Sequence, residues 1–364
     1  MKLQLVLLLL SVLAVSAGQK VIIIADVGVD DAGALLTACG QPDLDILGVV
    51  SNFGGHANPN VTARNARALL KDIGREDIPV FVGPRWPVGM DMPLQKDGSS
   101  FHGWDGLGGQ LGLDAFSAGV EPRVSDELAY DARTESISGP EFMVSTVRSM
   151  PGEVYIICFS PLTAVAVAVA IEPKLPSLVK GLYAMGGAVE GVGNASPLGE
   201  ANFVHDAAAA RAVVAAFGLP GSSPLVLAPL ELTMKALLTK RDIDEFDRLS
   251  NGRAKLFVDS WPIYQDAYCT YQQHCDVCPL HDAHPVIYAV NPAIYTAVTM
   301  RVRVLVTEPG DPMHGFSLVD RRPGVEKRTA DNPPAPGECD ATILMKVDGN
   351  RFRDEVLKAA SKLA

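Results

Sequence analysis

The stretch Val21-Ile22-Ile23-Ile24-Ala25-Asp26-Val27-Gly28-Val29-Asp30-Asp31 decides the fold. Val21 to Ile24 is an uninterrupted β-branched run, the pattern of a strand buried on both faces. Asp26 to Asp31 makes a turn at the strand's C-terminal end, and Ala32 to Ala38 reads as a helix. Three carboxylates in six residues repel one another unless a cation sits among them. Hard oxygen ligands at a strand end suit Ca²⁺, which takes about six to eight of them. Gly28 lets the backbone turn tightly enough to converge them. A solvated acidic turn is the plain alternative, and the strand before the turn weighs against it by aiming the cluster at the sheet's functional edge.

Downstream, the same alternation repeats. Strands are expected at Leu44–Ser51, Pro79–Val82, Val154–Cys158, Leu182–Met185 and Pro224–Leu227. Helices are expected at Thr62–Ile73, Glu141–Met150, Thr163–Ile171 and Ala207–Phe217. Strand and helix alternating over this length predict an α/β fold with an open, mostly parallel sheet and helices on both faces. Ligands of such folds bind at the C-terminal ends of the strands. No Gly/Ser-rich linker divides the chain and no repeat is visible, so residues 18–364 read as a single domain.

The chain has 364 residues, 48% hydrophobic and 20% charged, with a formal net charge of −11. That is an ordinary globular composition. The acidic balance argues against general affinity for nucleic acid, which needs clustered Lys and Arg, but leaves small unphosphorylated ligands open. Residues 1–17 read as a signal peptide: Lys2, an apolar run Leu3–Val15, and small residues at Val15-Ser16-Ala17 before cleavage. The run is short for a membrane span, and no later segment has the pattern of one. A secreted, extracellular protein without a membrane anchor is the expectation.

Secretion permits disulfides among the six cysteines. Cys269, Cys275 and Cys278 cluster, and a local disulfide is favoured there over a zinc site because no second Cys pair follows. Cys39 and Cys158 read as buried thiols. Asn60-Val61-Thr62 and Asn194-Ala195-Ser196 are glycosylation sequons, the second followed by Pro197.

Further motifs follow the acidic turn. They are Phe101-His102-Gly103-Trp104-Asp105-Gly106-Leu107-Gly108-Gly109, Ser160-Pro161-Leu162-Thr163, Met185-Gly186-Gly187, Gly193-Asn194, Glu200-Ala201-Asn202-Phe203, Asp206-Ala207-Ala208 and Leu280-His281-Asp282. In this order, from about residue 20 to about 355, the chain resembles the inosine–uridine nucleoside hydrolase family, which cleaves the bond between ribose and base. It departs from the family's pattern at Ile24 and Val27 in the first motif, at Ser160 and Ala164, and at His56, which takes the place of an Asn that reaches the ribose.

The resemblance implies roles. Asp26, Asp31 and Asp282 would be side-chain ligands of Ca²⁺, with the backbone carbonyl of Phe159 as a further ligand. Asp26 would also accept a proton from a water held by the metal. Asp30 would bond a ribose hydroxyl, and His56 would stand at the Asn position. Asn194, Glu200 and Asn202 would hold the far end of the sugar, with Met185 packed against it. His281 would protonate the leaving base, and His102 would lie on the base side. Tyr264, Tyr268 and Tyr271, spaced i, i+4, i+7, would lie near the base, either recognising it or forming a core stripe. Trp104 and Trp261 could stack on a base or pack. The substrates would be small-molecule ribonucleosides, and a homodimer or homotetramer would be plausible. A Ca²⁺-dependent nucleoside-binding protein without turnover, suggested by His56, is the alternative. An aspartate-nucleophile phosphatase would want Asp-x-Asp where this chain has Asp26-Val27-Gly28.

Overall fold

A computed structural model describes residues 18–88, 99–111, 137–322 and 334–364. The expected signal peptide, residues 1–17, lies outside the described residues. In chain order the strands are β1 (Gln19–Ala25), β2 (Leu44–Ser51), β3 (Val80–Val82), β4 (Tyr155–Phe159), β5 (Gly181–Met185), β6 (Leu225–Ala228), β7 (Leu237–Thr239), β8 (Val277–Pro279), β9 (Tyr295–Val304), β10 (Ser317–Asp320) and β11 (Cys339–Val347). Nine of them form one open sheet in the order β10-β9-β11-β6-β5-β4-β1-β2-β3, and β7 pairs with β8 alone. The run from β11 to β3 is parallel throughout, and β9 and β10 extend it antiparallel.

Strand β1 shows why the sheet is covered on both sides. Val21, Ile23 and Ala25 enter one apolar cluster, and Ile22 and Ile24 enter the other. Strand side chains alternate between faces, so an all-apolar strand needs two cores. The first core is roofed by helices Val29–Cys39, Pro59–Asp72, Lys255–Gln272, Ala283–Val290 and Gly349–Ala360. The second is roofed by Gly139–Ser149, Thr163–Ile171 and Ala207–Phe217.

Strand order reverses at β1. The chain builds outward through β2 and β3 on one side and through β4, β5 and β6 on the other. The connections leaving β1 and β4 therefore diverge and open a crevice at their C-terminal ends. Ala25 and Phe159 face each other there in register. Among the described residues no helix is long and apolar enough to cross a membrane.

Candidate active site

The crevice is lined first by the turn after β1. Asp31 sits in the first turn of helix Val29–Cys39, and its carboxylate accepts the Asp26 amide at 3.0 Å and the Gly28 amide at 3.0 Å. One side chain thereby ties down the turn and caps the helix, whose N-terminal dipole favours an acid there. Asp26 Oδ2 accepts the Gly55 amide at 2.5 Å. Gly54 is at φ +146, and a Cβ there would lie 1.8 Å from that same oxygen. Gly54-Gly55 is thus a backbone clamp on Asp26 that no side chain can share. His56 follows, buried, with Nδ1 accepting the Asn58 amide at 3.0 Å.

Asp282 arrives from the far end of the chain, just ahead of helix Ala283–Val290. Asp30, Asp31 and Asp282 each bring an oxygen within 4.8 Å of the others'. Burial, and then the neighbouring carboxylates Asp31 and Asp30, pushes Asp26 well above the usual range. Burial, then Asp30, lifts Asp31 to about 7. Asp282 is raised by burial and by Asp30, Asp31 and Asp26. Among the described residues no Lys or Arg pairs with any of the four.

A second wall carries the rings. Tyr264 Oη donates to Asp30 Oδ2 at 3.1 Å. His102 Nδ1 accepts the Val29 amide at 3.0 Å and lies 3.9 Å from Asp30 Oδ1, and its ring stacks on Tyr264. His281 is buried, with Nε2 2.5 Å from Tyr268 Oη and Nδ1 2.6 Å from Thr233 Oγ1. Burial pushes its pKa down to about 4, against the pull of Asp30. Phe101 sits edge-on to Tyr268, with ring centroids 5.5 Å apart.

The third group stands at the end of β5. Glu200 is buried and caps helix Ala201–His205, accepting the amides of Asn202 (2.7 Å), Gly187 (2.8 Å) and Phe203 (3.2 Å). A carboxylate offers about four acceptor sites, so little capacity remains for a sugar. Burial nonetheless lifts Glu200 to about 7, against those three amides. Asn202 Nδ2 lies 3.3 Å from the Met185 carbonyl and 3.4 Å from its sulfur. Asn194 is exposed at the rim, its Oδ1 accepting the Ala201 amide at 2.9 Å. The end of β4, with Phe159, lies between this group and the acidic turn.

The structure therefore gathers Asp26, Asp30, Asp31, Asp282 and His102 at one place and Met185, Asn194, Glu200 and Asn202 at another, one strand apart. His281 Nε2 meets Tyr268 Oη beside the first group, a contact that the linear motif could not show. The tyrosine stripe divides: Tyr264 and Tyr268 are buried, while Tyr271 is 62% exposed. Trp261 is core and Trp104 is exposed. Cys269 is bonded to Cys275, leaving Cys278 a buried thiol. Sequence reading missed Thr233 and Asn65. Asn65 Nδ2 bridges the Val27 carbonyl (3.1 Å) and the Asp105 carbonyl (2.7 Å), tying the acidic turn to the glycine-rich loop.

Known proteins are similar to this chain in sequence and in fold. The family model described as inosine-uridine preferring nucleoside hydrolase matches residues 21–354. Uridine nucleosidase 1 of Arabidopsis thaliana is 30% identical over 86% of this chain and 85% of its own. The pyrimidine-specific ribonucleoside hydrolase RihA of Klebsiella pneumoniae is 28% identical over 92% of this chain and 96% of its own. Among solved structures, the plant nucleoside hydrolase PpNRh1 superposes with a TM-score of 0.78 at 26% identity, covering 94% of this chain and 99% of that one. The purine-preferring ribonucleoside hydrolase of Gardnerella vaginalis gives 0.77 at 25%, covering 94% and 98%. With its acidic turn at the switch point and its motifs in order, the chain belongs to the inosine-uridine preferring nucleoside hydrolase family and is a hydrolase of N-glycosyl bonds.

Proposed function

We propose that the protein is a secreted, calcium-dependent ribonucleoside hydrolase releasing ribose and free base. The observation that carries the metal is the set of four buried carboxylates without a cationic partner among the described residues. Buried charge of one sign is costly unless a counter-charge joins it. An all-oxygen donor set fits a hard cation such as Ca²⁺, which Asp26, Asp31, Asp282 and the Phe159 carbonyl would hold. When bound, the ion supplies positive charge that lowers the pKa of water and orients the ribose diol.

The chain's own groups do the rest. Asp26, clamped by the Gly55 amide, takes the proton of the attacking water. Asp30, held by Tyr264, accepts from a ribose hydroxyl. As the glycosidic bond breaks, the ring gains positive charge, which the surrounding carboxylates stabilise more than they stabilise the intact nucleoside. The bonding pair leaves with the base, which needs a proton. His281 supplies it through Tyr268: the proton on Nε2 passes to Oη while the hydroxyl gives its own to the base. Burial disfavours the charged ring, so His281 draws a proton from solvent before it gives one, and Asp26 returns the water's proton to solvent once the products leave. The apolar leader and the Cys269–Cys275 disulfide support an oxidising, extracellular destination.

The test is ribose release from inosine, adenosine, uridine and cytidine, with Ca²⁺ and then with chelator, on protein recovered from the culture medium. Release that chelation stops, from a chain beginning at Gly18, is expected. Release indifferent to chelation would remove the metal, and a chain retained in the cell with residues 1–17 attached would remove secretion.

A further inference from the structure

We propose that Arg321 and Glu231 are positioning residues for the sugar, gripping one peptide bond, Val189–Glu190, in the loop that carries Asn194 to the rim of the crevice. The inference rests on the reading of Asn194, Glu200 and Asn202 as the group that meets the ribose.

The loop leaves β5 at Gly186-Gly187 and ends at Glu200, the cap of helix Ala201–His205. At its start the Leu230 amide donates to the Gly187 carbonyl at 2.9 Å, and the Gly187 amide donates to Glu200 at 2.8 Å. Two residues on, a single peptide plane is held from both sides. Arg321 Nη2 donates to the Val189 carbonyl at 2.8 Å, and Glu231 Oε1 accepts the Glu190 amide at 2.5 Å. The oxygen and the hydrogen of a trans peptide point in opposite directions, so the two side chains bracket the plane and resist its turning. Hydrogen bonds from charged groups are roughly twice as strong as neutral ones. Beyond the plane come Gly191, at φ +82, then Val192, Gly193 and Asn194. Glycines hold no direction of their own. Among the described residues the clamp is therefore the last hydrogen-bonded hold from outside the loop before Asn194, whose Oδ1 is fixed from the other side by the Ala201 amide.

The two side chains come from separate elements. Arg321 is exposed and follows β10, whose first residue also abuts the loop: a Cβ on Gly187 would lie 2.6 Å from Ser317 Oγ. Glu231 belongs to helix Leu230–Thr233, and its Oε2 is buried without a partner among the described residues. An unpaired buried carboxylate oxygen costs stability, a cost that the grip on Glu190 has to offset. What the clamp positions follows from the rest of the site. The metal would hold the 2′- and 3′-hydroxyls, and the base would lie towards His102 and His281. The part of a ribonucleoside left for Asn194, Glu200 and Asn202 is C5′ with its hydroxyl. Arg321 and Glu231 touch no substrate; they set where the loop places Asn194 and, through Gly187, Glu200.

Wild type, Arg321→Met, Glu231→Ala and Glu231→Gln test this, each supplied with metal. Methionine keeps the arginine's stem and removes the donor; glutamine keeps an acceptor for the Glu190 amide. Hydrogen exchange at that amide should quicken in Arg321→Met and Glu231→Ala and stay near wild type in Glu231→Gln. KM for the best natural nucleoside should rise about 10-fold in Arg321→Met and Glu231→Ala, with kcat moving less. KM for its 5′-deoxy analogue should hardly change. The rise should recur with p-nitrophenyl riboside, which keeps the 5′-hydroxyl but has a leaving group that needs little protonation. Glu231→Gln should recover most of the loss. Arg321 is exposed, so its variant carries the test if Glu231→Ala fails to fold. A KM that rises alike with and without the 5′-hydroxyl, or with neither, overturns the proposal. Asn194→Ala is measured alongside. If it also treats the two nucleosides alike, the reading of the sugar end fails and takes this inference with it. If it discriminates and the clamp variants do not, Arg321 and Glu231 alone are removed.

Discussion

The base proposed for this reaction, Asp26, has to be held at the departing proton, and its holder is bare backbone. The Gly55 amide grips Oδ2 at 2.5 Å, and Gly54 leaves no room for a methyl group beside it. Gly54→Ala should lower kcat by at least about 100-fold, because displacing a reacting group by about an ångström costs that much. Thermal unfolding should show the fold retained, and a variant with near-normal kcat would refute the clamp. The carboxylates themselves were legible in the sequence, since charge crowded at a strand end has few other uses. The clamp was not. His56 stood out there as a departure from the family, while nothing in the two glycines before it pointed to the carboxylate they hold. Glu200 teaches the same lesson, for a residue expected at the sugar spends three acceptor sites on amides of its own chain.

At the scale of elements, helix Lys255–Gln272 and strand β8 act together. The helix presents Tyr264 and Tyr268, and β8 leads directly into His281 and Asp282. Between them the chain reverses, and the Cys269–Cys275 disulfide closes the reversal one residue from Tyr268. Replacing both cysteines by serine should cost about 2 kcal/mol, the chain entropy of so short a loop. It should also slow natural nucleosides more than p-nitrophenyl riboside, because the Tyr268–His281 contact spans the loosened segment. Unfolding midpoints and paired kcat values check this, and equal slowing would show that the disulfide serves stability alone. Long elements were read well: Leu44–Ser51, Thr163–Ile171 and Ala207–Phe217 form with the expected ends. Helix Leu230–Thr233 escaped notice because four residues cannot display a 3.6-residue period. Thr233 escaped with it.

For the molecule as a whole, the proposed calcium site would link metal to stability. Calcium at about 100 times its Kd should stabilise the fold by about 2.7 kcal/mol, since only the folded chain gathers the ligands. Chelator should reverse the gain in a thermal melt, and Asp282→Asn should abolish it. A gain that survives Asp282→Asn would place the ion elsewhere. The sheet's class and its functional edge followed from the alternation of strand and helix. Its order did not, because which strand lies beside β1 depends on packing partners far away in sequence. The antiparallel extension by β9 and β10 likewise left no mark in the alternation.

Asp30 and Tyr264, bonded across the crevice, stand 234 residues apart in the chain, and Asp282 comes later still. A growing polypeptide thus carries the acidic turn for most of its synthesis with nothing to close it. Fragments that stop before Leu280 lack the third carboxylate of the cluster and the histidine together. Under the proposed mechanism such truncated products should release no ribose, and release by one of them would show that the cluster is not the site of cleavage.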